Sequence, residues 1–186
     1  MKTLIVVAHP NIETSVVNKR WVEELRRYPE KYTVHELYRQ YPGGNIEAER
    51  EQKLIEAHDR LVLQFPIYWF NCPPLLKKWL DDVFAYGWAY GSRGDRLKGR
   101  KVGLAVSAGI REEDYRPEGR YRYTLSQLLT PFETTFRYCD ADYRSFFAFY
   151  GMEAEPGGNV PGEEAESPGA KLDRSAQEYL PFIDRM

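Results

Sequence analysis

The sequence predicts an α/β domain: a five-stranded parallel sheet, strand order 2-1-3-4-5, with helices on both faces. Three observations carry that prediction. Apolar runs without the alternation of a half-exposed strand recur at TLIVVA (3–8), RLVLQFP (60–66) and KVGLAVS (101–107), which is how strands buried on both faces read. Segments with helical spacing separate them, so strand and helix alternate along the chain. A chain of 186 residues also has the length of one such domain, which places 1–186 in a single unit.

Each element follows in order. Thr3–Ala8 is the first strand. Ser15–Arg27 has helical spacing through Val17, Trp21, Val22 and Leu25. Tyr32–Leu37 alternates weakly as a second strand, and Ile46–His58 reads as a charged, exposed helix. Arg60–Pro66 is the third strand. Pro73 and Pro74 then suit a helix entry, where missing amide donors cost little. The helix they open, Pro74–Phe84, sets Leu75, Leu76, Trp79, Leu80, Val83 and Phe84 on one side and Lys77, Lys78, Asp81 and Asp82 on the other. Lys101–Ser107 is the fourth strand, Tyr123–Phe136 a helix and Arg144–Tyr150 a fifth strand. Residues 151–169, rich in Gly, Pro and Glu, read as a surface loop, and Ala170–Ile183 as a last helix within a tail at 170–186.

Composition excludes several classes of function. Charged residues make up 29% of the chain and balance to a net charge of −2, without the basic surplus of a general nucleic-acid binder. The opening MKTLIVVAHP is too short an apolar run to cross a membrane and reads better as a strand than as a signal segment. The two cysteines, Cys72 and Cys139, are far apart and form no CxxC, so neither a disulfide framework nor a zinc ribbon is expected. Together these features imply a reduced, cytoplasmic protein. His35 and His58 fall in segments that read as surface and propose no metal site.

In a sheet of this order, ligands bind beyond the carboxyl ends of the strands, at the switch point between strands 1 and 3. Three loops meet there. The first, AHPNIETSVVNKR, carries His9, Thr14, Ser15 and Asn18 at the start of a helix. Hydroxyls and free amides at a helix N-terminus are an anion site, though either hydroxyl also serves as a simple cap. Neither GxGxxG nor GxxxxGK[ST] is present, so no Rossmann or Walker site is indicated. The second loop opens at Pro66 and continues through Ile67, Tyr68, Trp69 and Phe70. This cluster is a candidate wall for a flat ring, against the alternatives of core packing or a dimer contact. Cys72, beside it, reads as a small buried hydrophobe. The third loop, Ser107, Ala108, Gly109 and Ile110, has small residues that let a ligand approach the backbone.

Three stretches also resemble a known family: AHP with SxxNKR (9–20), FPIYWFNCPPLLKKWLDDVF followed by GWAYG (65–91), and YTLSQLLTPFETT (123–135). They are similar to the flavodoxin-like NAD(P)H:quinone oxidoreductases, in particular the bacterial branch of general-stress oxidoreductases and potassium-efflux ancillary flavoproteins. The resemblance covers Leu4 to about Gly151. It implies a flavodoxin-like fold and a non-covalent flavin, FMN rather than FAD. It also implies NAD(P)H as electron donor, a quinone or similar acceptor served by ping-pong exchange, and a homodimer in which the partner completes the site. By matching positions, His9, Ser15, Val16, Val17 and Asn18 would hold the phosphate and ribityl chain, and Ile67–Phe70 would line the ring. Ser107–Ile110 would meet the ring's polar edge, where the family often has TTGG. AYGWAYG (85–91) would contribute to the dimer interface. Tyr115 is a candidate to lend a hydroxyl to developing charge, or else an ordinary loop tyrosine. Arg111, Arg116, Arg120 and Arg122 are candidates to clamp a nucleotide phosphate, or else a solvated loop. Two other readings stand beside the enzyme: a regulatory flavoprotein docked on a potassium-efflux transporter, and a flavodoxin-type electron carrier.

Overall fold

The computed structural model describes residues 1–151 and 167–186. Its sheet has five strands, all parallel, in the order β2-β1-β3-β4-β5. They are β1 (Thr3–Val7), β2 (Tyr32–Glu36), β3 (Arg60–Pro66), β4 (Lys101–Ala108) and β5 (Asp142–Tyr150). The helices are α1 (Val17–Leu25), α2 (Leu37–Gln40), α3 (Ala48–Glu56), α4 (Pro74–Val83), α5 (Leu125–Leu128), α6 (Thr130–Tyr138) and α7 (Pro168–Arg185).

The central strands are apolar on both sides because each side meets its own core. Leu4, Val6, Leu61, Leu63, Leu104 and Val106 face the helices α3, α4 and α6. Ile5, Val7, Val62 and Ala105 face α1 and α7. That alternation is the period of two of a strand, with apolar residues in both phases. α7 is part of the second layer: Trp21 Nε1 donates to Ser175 Oγ at 3.0 Å, and the Phe147 and Tyr179 rings stack at 5.4 Å. It also ties down the amino ends of the strands, where Arg60 Nη1 donates to Ile183 O at 2.7 Å and Tyr32 OH to Asp184 at 2.9 Å. Gly103 in β4 lies under the end of the chain, where a Cβ would stand 2.7 Å from Met186 Sδ, the far end of a side chain that can turn aside.

Several expected elements differ from those observed. The helix expected over 123–136 is two pieces. A capping box between Thr124 and Gln127 starts α5, and α6 restarts with Pro131 in its first turn, because proline has no N–H to continue the ladder. The helix expected over 46–58 is shorter and less exposed than its charges imply: Glu51 and Ile55 are buried. His35 and His58 are buried as well, not on the surface, and both are hydrogen-bonded. The short helix α2 was not anticipated. Of the loop expected at 151–169, residues 152–166 lie outside the described residues, and Pro168 and Gly169 belong to α7. Among the described residues no helix is long and apolar enough to cross a membrane, and no three His, Cys, Asp or Glu gather as a metal site.

Candidate active site

The carboxyl ends of β1, β3 and β4 bring the three expected loops together, and one buried polar chain links them. Ser15 Oγ accepts from Asn18 N at 3.1 Å and so caps α1. Asn18, 1% exposed, then donates from Nδ2 to Ser107 Oγ at 2.8 Å. Gln64, fully buried in β3, donates to Asn18 O at 3.1 Å. Gln64 and its links were not expected as part of the site, although it is the only polar side chain between Arg60 and Pro66. Ile67 N donates to Ser107 O at 2.8 Å, so the second and third loops are also joined by backbone.

The first loop can hold an anion through neutral donors. Val16 is half exposed and Val17 is buried, and the first amides of α1 have no intrahelical acceptor. Asn11 N donates to His9 Nδ1 at 3.2 Å, which leaves the ring hydrogen on Nε2 as an outward donor. Burial holds His9 below its ordinary pKa of 6.5, so it is a neutral donor at pH 7. Thr14 donates to Asn11 O at 3.1 Å. The nearby cations are already engaged: Glu13 meets Lys19 and Arg39, each at 3.1 Å. Between this loop and β2 lies a cleft of about 190 Å³ lined by His9, Asn11, Ile12 and Tyr38.

The second loop is a two-residue hairpin turn. Tyr68 N and Asn71 N each donate to the other residue's carbonyl, at 2.8 and 3.0 Å. The residues between them, Trp69 (φ 49°) and Phe70 (φ 61°), are both left-handed. Such turns favour Asn and Gly, and a bulky residue there costs about 1–2 kcal/mol. The result is an indole 94% exposed at the carboxyl end of a central strand. Tyr68 stands edge-on to His9 at 6.4 Å, and Phe70 packs against Tyr121 at 5.1 Å. Pro66 is buried in β3, and Ile67 is half-buried against the core. Burial pushes the Cys72 thiol up to about 11, so it is no thiolate.

The third loop is held from behind. Gly151, at φ 88°, donates to both Ala108 O at 3.1 Å and Ile110 O at 3.0 Å. Ala108 is buried, while Ser107, Gly109 and Ile110 are partly open. Tyr115 lies in a 3-10 turn (Glu112–Tyr115), 4% exposed, between the Tyr121 ring at 6.1 Å and the Tyr150 ring at 5.9 Å. From the Tyr68–Trp69 turn an apolar groove of about 880 Å³ runs between α4 and α6, past Leu80, Phe84, Tyr90, Phe132 and Tyr138. In the 85–91 segment, Tyr90 lines that groove and packs on Tyr138 at 5.4 Å, while Trp88 donates to Glu56 at 2.8 Å.

A five-stranded parallel sheet with a phosphate-like helix start and an aromatic turn at its switch point defines a flavodoxin-like protein. The chain belongs to that family, whose model, described as flavodoxin-like fold, matches residues 1–167. Within it the chain stands in the NAD(P)H oxidoreductase branch that includes YrkL, general stress protein 14 and KefG. YrkL of Bacillus subtilis, an uncharacterised NAD(P)H oxidoreductase, is 48% identical over 151 residues, covering 81% of this chain and 86% of that protein. KefG of Cronobacter sakazakii, an ancillary protein of the glutathione-regulated potassium-efflux system, is 41% identical over 138 residues, 74% of each chain. The crystal structure of general stress protein 14 of Treponema denticola, in complex with FMN, is 51% identical. It superposes with a TM-score of 0.89 over 100% of this chain and 99% of that one.

Proposed function

We propose that this chain is a cytoplasmic FMN-dependent oxidoreductase that takes two electrons from NAD(P)H and passes them to a quinone or similar flat acceptor. The observation that carries the reading is the Trp69–Phe70 turn. It keeps a large apolar ring face in water beside an anion-binding helix start. The FMN complex of the Treponema relative gives that arrangement its natural occupant.

The residues present fit the group. The donors at His9 Nε2, Ser15 and the first amides of α1 suit a phosphate, and they meet its charge by dipoles rather than by a cation. Thr14 and Asn18 would border the ribityl chain. Ile67, Tyr68, Trp69 and Phe70, carried on Pro66, make the wall for the ring. Ser107, Ala108, Gly109 and Ile110 offer backbone to its polar edge, and Gly151 keeps that loop from drifting. When bound, FMN supplies the ring that accepts a hydride and returns two electrons.

The chain's own work is to bind, orient and exclude water. Donor and acceptor share one slot over the aromatic turn, which gives ping-pong kinetics. Tyr115 packs on Tyr121, which in turn meets Phe70, and its hydroxyl is a candidate to meet charge on an acceptor. A second copy of the chain covers the α4–α6 groove and closes the slot, with Tyr138, 70% exposed, at the contact. Tyr138→Arg is accordingly expected to give a monomer by light scattering, with FMN bound more weakly.

Absorbance after incubation with FMN and desalting, followed by anaerobic NADPH, tests the reading. A retained flavin band that bleaches supports it, and a protein that retains no flavin refutes it. A retained band that neither NADPH nor NADH bleaches favours the second reading, a regulatory flavoprotein docked on an efflux transporter, for which the likeness to KefG is the supporting observation.

A further inference from the structure

The segment 111–122 is a folded loop clamped to the aromatic turn. Tyr121 N donates back to Asp114 O at 3.2 Å, and Gly119 N to Arg116 O at 2.9 Å. A Cβ on Gly119 would stand 2.4 Å from Glu113 O, so the fold-back needs glycine. Tyr121 lays its ring against Phe70 at 5.1 Å. The residues flanking Tyr121 are therefore held beside Trp69 and Phe70.

Those residues are arginines without acids. Arg111 is engaged by Glu113 at 3.5 Å and Asp114 at 3.3 Å. Arg116, Arg120 and Arg122 are exposed and make no ion pair among the described residues. Arg20, Arg26, Arg39, Arg96 and Arg137, by contrast, each hold a carboxylate. Arg120 lies over the Tyr121 ring at 5.6 Å, anchored on the ring that touches Phe70. From Arg116 to Arg122 there are three arginines and one acid, Glu118, a net charge of +2. Unpaired guanidinium groups on one short folded loop, packed through Tyr121 against an aromatic turn, are suited to a phosphate.

We infer that Arg116, Arg120 and Arg122 recognise the 2′-phosphate of NADPH and make it the preferred donor over NADH. This rests on the functional reading above. The flavin phosphate does not need them, since the first loop meets it with neutral donors and its cations are held by Glu13. The pyrophosphate, present in both dinucleotides, carries one charge per phosphorus and discriminates nothing. A 2′-phosphomonoester is terminal, carries nearly two charges and offers three acceptor oxygens. With the nicotinamide on the ring wall, the adenosine end reaches outward to the rim, where this loop stands.

Calorimetric titration of the FMN-loaded protein with adenosine 2′,5′-bisphosphate and with 5′-AMP tests the inference without turnover. The bisphosphate is expected to bind at least ten-fold tighter. The triple variant Arg116→Gln/Arg120→Gln/Arg122→Asn is expected to erase the difference; Asn is used at 122 because the backbone there is left-handed, φ 59°. Arg116→Gln alone, at an exposed position, is expected to reduce the preference about three-fold and carries the test if the triple variant does not fold. Arg185→Gln, at the opposite end of the sheet, is expected to change nothing. The NADPH/NADH ratio of kcat/KM should fall in step. Equal binding of the two nucleotides by the unmodified protein, or a preference that survives the substitutions, overturns the inference. If NADH reduces the holoprotein while the 2′-phosphate goes unread, only this inference fails. A holoprotein that neither donor reduces removes the functional reading and the inference with it.

Discussion

Two buried polar clusters sit against this sheet, and they are finished to different standards. Around Glu51, 0% exposed, every partner is supplied by the chain: His35 Nε2 at 2.9 Å, Tyr41 OH at 2.6 Å and Trp79 Nε1 at 2.8 Å. These bonds join β2, α3 and α4. Around Asn18 the chain of bonds runs outward instead, from Gln64 to Asn18 to Ser107, and ends at the loops. Gln64 Oε1, buried, has no partner among the described residues. The loop that follows Gln64's strand carries the two left-handed aromatics. The first cluster closes a core. The second links the three loops at the carboxyl ends of the strands, next in sequence to a turn that tolerates strain.

The comparison breaks hardest at Glu51. Glu51→Ala leaves three buried donors without an acceptor and opens a cavity, and is expected to cost about 3–5 kcal/mol. For a chain of this size that is a fall in Tm of roughly 6–20 °C, with FMN affinity of the folded protein unchanged. Glu51→Gln keeps an acceptor oxygen and is expected to fall between. Equal loss of FMN affinity and stability in Glu51→Ala would mean the clusters are not independent.

The same cluster sets an acid limb. Burial pushes the Glu51 carboxyl up, but the bonds from His35, Tyr41 and Trp79 outweigh it and hold the group below its ordinary 4.5. A carboxyl depressed in the folded state contributes its full stability above the unfolded value, and loses it as pH falls through the folded value. Chemical denaturation followed from pH 6 downward should therefore show stability falling below about 4.5, and a shallower acid limb in Glu51→Gln.

The two clusters were also unequally legible. The order of the strands follows from apolar runs that any reading of 3–8, 60–66 and 101–107 recovers, and the three loops follow from that order. The Glu51 cluster was hidden because α3 is crowded with Glu, Arg and Lys, and charge count reads as exposure. Its burial is made tolerable by His35, Tyr41 and Trp79, which lie 16, 10 and 28 positions away. Gln64 announced itself as a lone amide in an apolar strand, but its partner lies 46 positions earlier, and Asn18 reaches Ser107 across 89. The turn at Trp69–Phe70 was visible as aromatic composition, not as geometry: nothing local prefers a left-handed Trp-Phe pair, and the tertiary setting imposes it.

That geometry gives the next prediction. Trp69→Gly removes the strain at one of the two left-handed residues together with the most exposed ring of the wall. Expected is a protein as stable as the parent or up to about 1 kcal/mol more so, with FMN affinity at least ten-fold lower, about 1.4 kcal/mol. Thermal unfolding without flavin and fluorescence titration with FMN separate the two. A destabilised variant that kept its FMN affinity would make the indole a packing group and move the ring elsewhere.

The smallest expected effect is the sharpest test of what the Asn18 cluster is for. Ser107→Ala removes the acceptor for Asn18 Nδ2 and nothing larger, and is expected to cost about 1 kcal/mol of stability. If the bond only filled hydrogen-bonding capacity, the loss would end there. If it sets the third loop against the first, FMN affinity falls two- to five-fold as well. Ser107→Thr, which keeps the hydroxyl, would then restore most of the affinity even where its added methyl costs some stability. Affinity that follows the hydroxyl while stability follows the packing is the pattern a positioning cluster predicts. Affinity that tracks stability through both substitutions would place Asn18–Ser107 with Glu51 as core.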